Sequence, residues 1–123
     1  MAAEDDLTAE QRRVKEAYTE NRYWTGNFED ILRLEPAWLE AYGELTRHAW
    51  ERAGLDPKER ELVHVAIDAS TTHLYNLGTR AHVGKALDEG ATVEELTEVL
   101  LITSDVGFNG AREGFTVLAD ELE

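Results

Sequence analysis

The stretch Leu55-Asp56-Pro57-Lys58-Glu59-Arg60-Glu61-Leu62-Val63-His64-Val65-Ala66-Ile67-Asp68-Ala69 decides the fold. Asp56 followed by Pro57 is a helix start: the aspartate side chain accepts from an otherwise orphaned backbone N–H, and proline fixes φ where its missing N–H does no harm. Beyond that start, Leu62, Val63, Val65, Ala66, Ile67 and Ala69 surround most of the helix circumference. A helix tolerates such coverage only when other helices pack on several of its sides. The stretch therefore predicts a central helix, and strand signals are nearly absent elsewhere, so the chain reads as an all-α domain.

Working outward from this helix, caps, prolines and glycines mark off about seven helices. Upstream, one runs from about Thr8 to Glu20. A short one from about Asn27 to Leu34 follows the turn-like Thr25-Gly26-Asn27. Pro36 opens a third, in which Trp38, Tyr42, Leu45 and Ala49 form a single apolar stripe before Gly54 ends it. Downstream, Ser70 to Gly78 carries Thr71, Thr72, Asn76 and Gly78, weak helix formers that predict an irregular connection or a loosened helix end. A fifth helix then runs to Gly90, and Thr92 with Glu95 forms a capping box ahead of Leu96, Val99, Leu100, Leu101 and Ile102. That sixth helix is too apolar to face water on one side only, which makes it core or subunit interface. Gly107, Asn109 and Gly110 break the chain, and Ala111, Phe115, Leu118 and Leu122 line one face of a last helix.

Composition narrows the function. At 123 residues the chain is the size of one domain, read here as residues 1–123. Acidic residues outnumber basic ones 26 to 12, for a formal charge of -14, so nucleic acid meets net repulsion and is excluded as a partner. A small anionic substrate would need arginines inside the pocket to reverse that field locally. With no cysteine there is no disulfide, thiolate metal site, thiol nucleophile or redox dithiol. Met1 to Asp6 is acidic without an apolar core, and the longest apolar runs fall far below the ~18 residues of a membrane span. A soluble, cytoplasmic protein without membrane contact is expected.

Three pieces occur in order: Leu-Asp-Pro-Lys-Glu-Arg-Glu-Leu-Val from Leu55, Arg-Ala-His-Val-Gly-Lys-Ala-Leu around His82, and Gly-Ala-Thr-Val-Glu-Glu-Leu-Thr-Glu-Val-Leu from Gly90. Each is common helix punctuation, but their order and spacing resemble the carboxymuconolactone decarboxylase family. The family core would span about residues 55–122, with residues 1–54 supplying the helices that precede it in longer relatives. The resemblance implies an alkylhydroperoxidase D-like helical array assembled as a homo-oligomer, a trimer or hexamer. The peroxidase branch of that superfamily carries a Cys-x-x-Cys pair seven and four residues before the histidine. Here Tyr75 and Gly78 stand there, so thiol peroxidase chemistry is ruled out and the chain groups with the decarboxylase branch. Glu61 and His82 are 21 residues apart, two more than in typical members, and the extra length falls between Ser70 and Gly78, which would line the pocket.

His82 is the first candidate for chemistry, since imidazole exchanges protons near neutral pH; the structural alternative is a packed helix histidine beside Ala81, Val83 and Ala86. Glu61 is either a proton relay to a histidine or a first-turn glutamate favoured by the helix dipole. Asp68 and His64 project from related faces of the same helix as Glu61. Asp68 lies among residues whose character implies burial, so it needs a partner, a pocket, or the backbone donors at a helix end. His73 and Tyr75 would complete such a pocket. The spacing of His64 and Asp68 also permits a shared metal with His73 or His82 as third ligand, which the resemblance does not imply. Arg80, Arg47 and Arg112 are candidates to hold a substrate carboxylate, with Arg80 foremost for its place beside His82. Trp24, Trp38, Trp50 and Phe108 would wall the pocket or simply fill the core.

Taken with the resemblance, these residues point to a metal-free and cofactor-free lyase acting by acid–base chemistry on a small organic acid, lactone or enolisable carbonyl compound. His82, Glu61 and Asp68 would be catalytic, and Arg80, His73, Tyr75 and His64 would bind substrate. The alternative from another class is a non-catalytic oligomeric binding or accessory protein on the same fold.

Overall fold

The computed structural model describes residues 6–20, 24 and 26–122, the side chain of Asn27 excepted. Most of the acidic start, Met1 to Asp5 of the segment ending at Asp6, and Thr25 of the expected turn lie outside the described residues. The described residues form seven α-helices: α1 (Ala9–Glu20), α2 (Glu29–Leu34), α3 (Pro36–Trp50), α4 (Pro57–Ala69), α5 (Asn76–Asp88), α6 (Val93–Ile102) and α7 (Asp105–Glu121). A 3-10 turn, Gly26–Phe28, leads into α2, and no strand occurs among the described residues. None of the described helices is long and apolar enough to cross a membrane. The chain divides into two compact units, residues 1–52 and 53–123.

In the first unit, Thr8 and Gln11 cap α1 reciprocally, each side chain bonding the other's backbone N–H, at 2.9 and 3.2 Å. The core is Leu7, Val14, Tyr18, Leu32 and Leu39, with Trp24, Phe28 and Ile31 packed on it. The Tyr18 hydroxyl donates to the Leu39 carbonyl at 2.7 Å, and burial pushes its pKa up to about 12. The apolar stripe read along α3 is not its buried face. Leu39 is the residue α3 buries, while Trp38, Tyr42, Leu45 and Ala49 all remain exposed.

The second unit is built on α4, α5 and α6 around Val65, Ala86, Ala91 and Leu96, with Leu62, Val83 and Val99 against them. Both expected helix starts form complete capping boxes, Asp56 with Glu59 and Thr92 with Glu95. Glu95 also accepts from Lys58 Nζ at 2.8 Å, tying the start of α4 to the start of α6. This pairing lowers the Glu95 pKa and raises that of Lys58. Gly90 takes φ +92°, a conformation open to glycine, and so ends α5 and turns the chain toward α6.

The break expected at Gly107, Asn109 and Gly110 does not occur, because α7 runs unbroken through all three from Asp105. Single glycines weaken a helix by about 1 kcal/mol each without forbidding it, and no proline intervenes. Helix α4 is packed by both α5 and α6, with Val65 fully buried, while Val63 and Ile67 on its remaining face are about half exposed. Every residue of α7 is exposed, including Phe115, Leu118 and Leu122 of the expected apolar face.

Candidate functional site

The second unit encloses a polar cluster where α4 meets α5. On α4, Glu61, Val65 and Asp68 recur at spacings of four and three, which places them on one face, and all three are buried. Valine there is ordinary core. Two carboxylates are not, because an ionised group taken from water needs hydrogen-bonding or charged partners. The partner is His82 of α5, whose Nδ1 lies 2.6 Å from Glu61 Oε2 and whose Nε2 faces Asp68 Oδ2 at 3.8 Å. One imidazole thus sits between two carboxylates, with side-chain exposures of 15% for His82, 6% for Glu61 and 9% for Asp68.

The Glu61 bond fixes the chemistry of the ring. A carboxylate only accepts, so Nδ1 carries the hydrogen and Nε2 is the atom left to take or give a proton. His64, one turn along α4 from Glu61, stacks its ring at 4.5 Å and 35° on that of His82. Its Nδ1 lies 3.0 Å from the Arg60 carbonyl, which again can only accept and so holds the ring in place.

Beyond α4 the chain turns through residues 70–75 and reaches α5. Within this turn Leu74 adopts φ +46°, unusual for a branched side chain, and the Tyr75 N–H donates to the Asp68 carbonyl at 2.7 Å. That bond folds the segment back over the end of α4. His73 Nε2 comes within 3.4 Å of Asp68 Oδ1, and the Tyr75 ring meets the His73 ring edge-on at 5.7 Å. The irregularity predicted for Ser70 to Gly78 is therefore real up to Tyr75. Asn76 and Gly78, which counted toward it, instead begin α5.

Gly78 reads from the sequence only as the end of the pocket-lining segment, and its close approach to Asp68 is what sequence reasoning missed. A β-carbon at this position would lie 2.7 Å from Tyr75 Cε1 and closer still to Asp68 Oδ2, so α5 approaches the carboxylate as closely as it does only because the residue is glycine. Its place four residues before His82 was legible, but nothing in that spacing named Asp68 as the neighbour.

The structure thus brings together Glu61, His64, Asp68, His73, Tyr75, Gly78 and His82. It does not bring the arginines in. Arg80 is exposed on α5, and among the described residues no hydrogen bond or ion pair joins it to the cluster. Arg47 pairs with Glu51 in the first unit, and Arg112 with Glu113 on α7. Trp24 packs on Tyr18 and Phe28, Trp50 is half-buried in the first unit, and Trp38 and Phe108 are exposed. Among the described residues no group of three histidine, aspartate or glutamate side chains is arranged to hold a metal ion.

The profile of the Carboxymuconolactone decarboxylase family matches residues 36–120. A crystal structure from Burkholderia xenovorans, described as a gamma-carboxymuconolactone decarboxylase subunit, superposes with a TM-score of 0.87 at 38% sequence identity. The match covers 99% of this chain and 49% of that one, so the chain spans about half the length of the solved structure. Among curated proteins, none matches the sequence.

Proposed function

The chain belongs to the carboxymuconolactone decarboxylase family, and from that premise we propose that it is a cytoplasmic acid–base lyase acting on a small organic acid or lactone. The single observation that carries the reading is the enclosed His82 imidazole, held 2.6 Å from one buried carboxylate and 3.8 Å from another. His82 is the proton carrier, acting through Nε2. Glu61 holds the ring in the tautomer that leaves Nε2 available, and Asp68 faces that atom. Decarboxylation breaks the bond between carbon and the leaving carboxylate. The electron pair stays on carbon as carbon dioxide departs, and a proton must reach that carbon, which is the step an imidazolium Nε2–H supplies. The His64 ring and the Tyr75 ring form the walls nearest His82 and Asp68, with His73 at the rim and Arg80 reaching the substrate carboxylate from outside the cluster. The chemistry needs neither metal nor cofactor.

The active form is a homo-oligomer, a trimer or hexamer. The support is apolar surface that a single chain leaves in water: Leu101 and Ile102 on α6, and Phe108, Phe115, Val117, Leu118 and Leu122 on α7, are all more than half exposed. A helix of this kind gains most of its stability from packing an apolar face, so α7 requires a cover.

The test is turnover of a lactone carrying a carboxylate by wild type and by His82→Ala. Loss by roughly 10²–10⁴-fold is expected, the contribution of a positioned proton-transfer group, with the oligomer intact. Full activity in the variant refutes the assignment. Ligand binding without turnover in both proteins favours the non-catalytic binding role instead.

A further inference from the structure

We infer that His73 is the solvent-side station of a proton relay to His82, with the Asp68 carboxyl carrying the proton between the two rings. Three observations carry it. The two oxygens of Asp68 face two different imidazoles, Oδ1 toward His73 Nε2 at 3.4 Å and Oδ2 toward His82 Nε2 at 3.8 Å. One of those rings is enclosed and the other is not: the His73 side chain is 52% exposed against 15% for His82. The second nitrogen of His82 is committed to Glu61 at 2.6 Å, so any proton exchanged by this ring passes through Nε2, the atom that faces Asp68.

The transfer balances within the chain's own groups. Imidazolium His73 gives its Nε2 proton to Asp68 Oδ1: one N–H bond breaks, one O–H bond forms, and a neutral imidazole and a neutral carboxyl result. A half-turn about Cβ–Cγ exchanges the two oxygens and carries the proton to the other side. The O–H bond then breaks as an N–H bond forms at His82 Nε2, restoring the Asp68 carboxylate and leaving an imidazolium whose Nδ1–H remains on Glu61. Water reprotonates His73. Both gaps exceed a normal hydrogen bond, so the carboxyl must swing by up to about 1 Å toward each ring in turn. On the His82 side, the missing β-carbon of Gly78 leaves the room for that movement. Each turnover that delivers the His82 proton to carbon requires such a resupply. The purpose of the relay rests on the lyase reading, whereas its existence does not.

The experiment uses the full-length chain labelled with 15N-histidine, in which four histidines contribute signals. It measures exchange of the His82 ring N–H protons with solvent in wild type, His73→Gln and Asp68→Asn. In His73→Gln we expect exchange slowed at least about tenfold, set against the roughly 10²–10⁴-fold that a positioned proton carrier contributes, and restored by free imidazole in the buffer. Asp68→Asn should slow exchange likewise and resist the imidazole. Exchange in His73→Gln that equals or exceeds wild type, or that is slowed and not restored by imidazole, overturns the relay. Because His73 is exposed, that variant decides the question even if Asp68→Asn fails to fold. No substrate is needed, so the two readings fail separately. A relay found in a chain that turns over no lactone leaves the relay standing, and a lactone decarboxylase with unchanged His82 exchange in His73→Gln leaves the lyase standing.

Discussion

Alanine placed at Gly78 and at Gly84, two glycines of one helix, gives opposite results if α5 is fitted to the Asp68 carboxylate as described. At Gly84 a β-carbon meets nothing within 4 Å. Only the helix preference of alanine acts there, and Gly84→Ala should stabilise by about 0.5–1 kcal/mol. At Gly78 the same carbon falls 2.7 Å from Tyr75 Cε1 and nearer still to Asp68 Oδ2. The Tyr75 backbone is held by its N–H bond to the Asp68 carbonyl at 2.7 Å, and the Asp68 carboxyl can yield to the added carbon only by leaving the place where it faces His82. Overpacking of this kind opposes stability by about 1–3 kcal/mol. Taking the upper part of that range and subtracting the alanine gain leaves Gly78→Ala destabilised by about 1–2 kcal/mol. The two variants should then differ by roughly 2–3 kcal/mol, or about 6–15 °C in Tm for a chain of this size, measured at one fixed protein concentration. The His82 ring signals should also move in Gly78→Ala and not in Gly84→Ala, because only the first displaces Asp68. Equal melting temperatures for the two variants, with His82 unmoved, would refute the close-packed cradle.

The ion pair between Lys58 and Glu95 makes a prediction with a definite sign. Glu95 is held below its ordinary value of 4.5, first by the hydrogen bond from Lys58, so its stabilisation is present above pH 4.5 and is lost as pH falls through the lowered value. Lys58 is held above 10.5, so its share is present below that pH and is lost as pH rises further. The difference in urea stability between wild type and Lys58→Met should be level across the middle range and shrink at both ends; a difference that grows in acid contradicts the pairing. Tyr18, raised to about 12 by burial, should ionise above the ordinary tyrosine value of 10 in an absorbance titration, and its contribution to folding should disappear between pH 10 and 12. A Tyr18→Phe variant that loses none of the absorbance change above about pH 11 would remove Tyr18 from the core of the first unit. Leu118→Glu, on the exposed face of α7, tests the proposed oligomer: the variant should scatter light as a monomer with its helix content unchanged, and an unchanged mass would place the interface elsewhere.

Capping and periodicity were legible because their physics is local. Asp56 with Glu59 and Thr92 with Glu95 satisfy the first backbone N–H groups of α4 and α6 wherever those helices lie, so the residues alone place the starts. The pairing of Glu61 with His82 was legible only through family resemblance. Spacing put Glu61 and Asp68 on one face of a helix, but which ring would fill the space between them depends on how α5 packs. What lay beyond the sequence was which apolar stripe a helix turns inward. On α3 the stripe of Trp38, Tyr42, Leu45 and Ala49 is the more conspicuous, yet the single chain buries Leu39. Periodicity marks an apolar face without naming what covers it, and a face reserved for another chain reads the same as one reserved for the core. The glycines of α7 misled for a different reason: each weakens a helix by about 1 kcal/mol without forbidding it, and α7 runs through all of them.

Stability alone gives no reason for the cluster at the junction of α4 and α5. Glu61 and Asp68 share one helix face with Val65, which is wholly buried, and the rest of the surrounding core is alanine, leucine and valine. Leucine or methionine at these positions would fill the same space without taking charge from water, and buried ion pairs replaced in this way are often neutral to folding or leave the protein more stable by about 1–4 kcal/mol. Helix formation needs neither acid, since the capping boxes already fix the starts of α4 and α6. The fold is thus satisfied without the carboxylates and the imidazole. Their arrangement, in contrast, meets the demands of proton transfer point by point: one ring nitrogen fixed by Glu61, the other facing Asp68, and Asp68 in turn within reach of an exposed histidine. A core that accepts a less favourable filling to hold that geometry is what the proposed role of His82 requires.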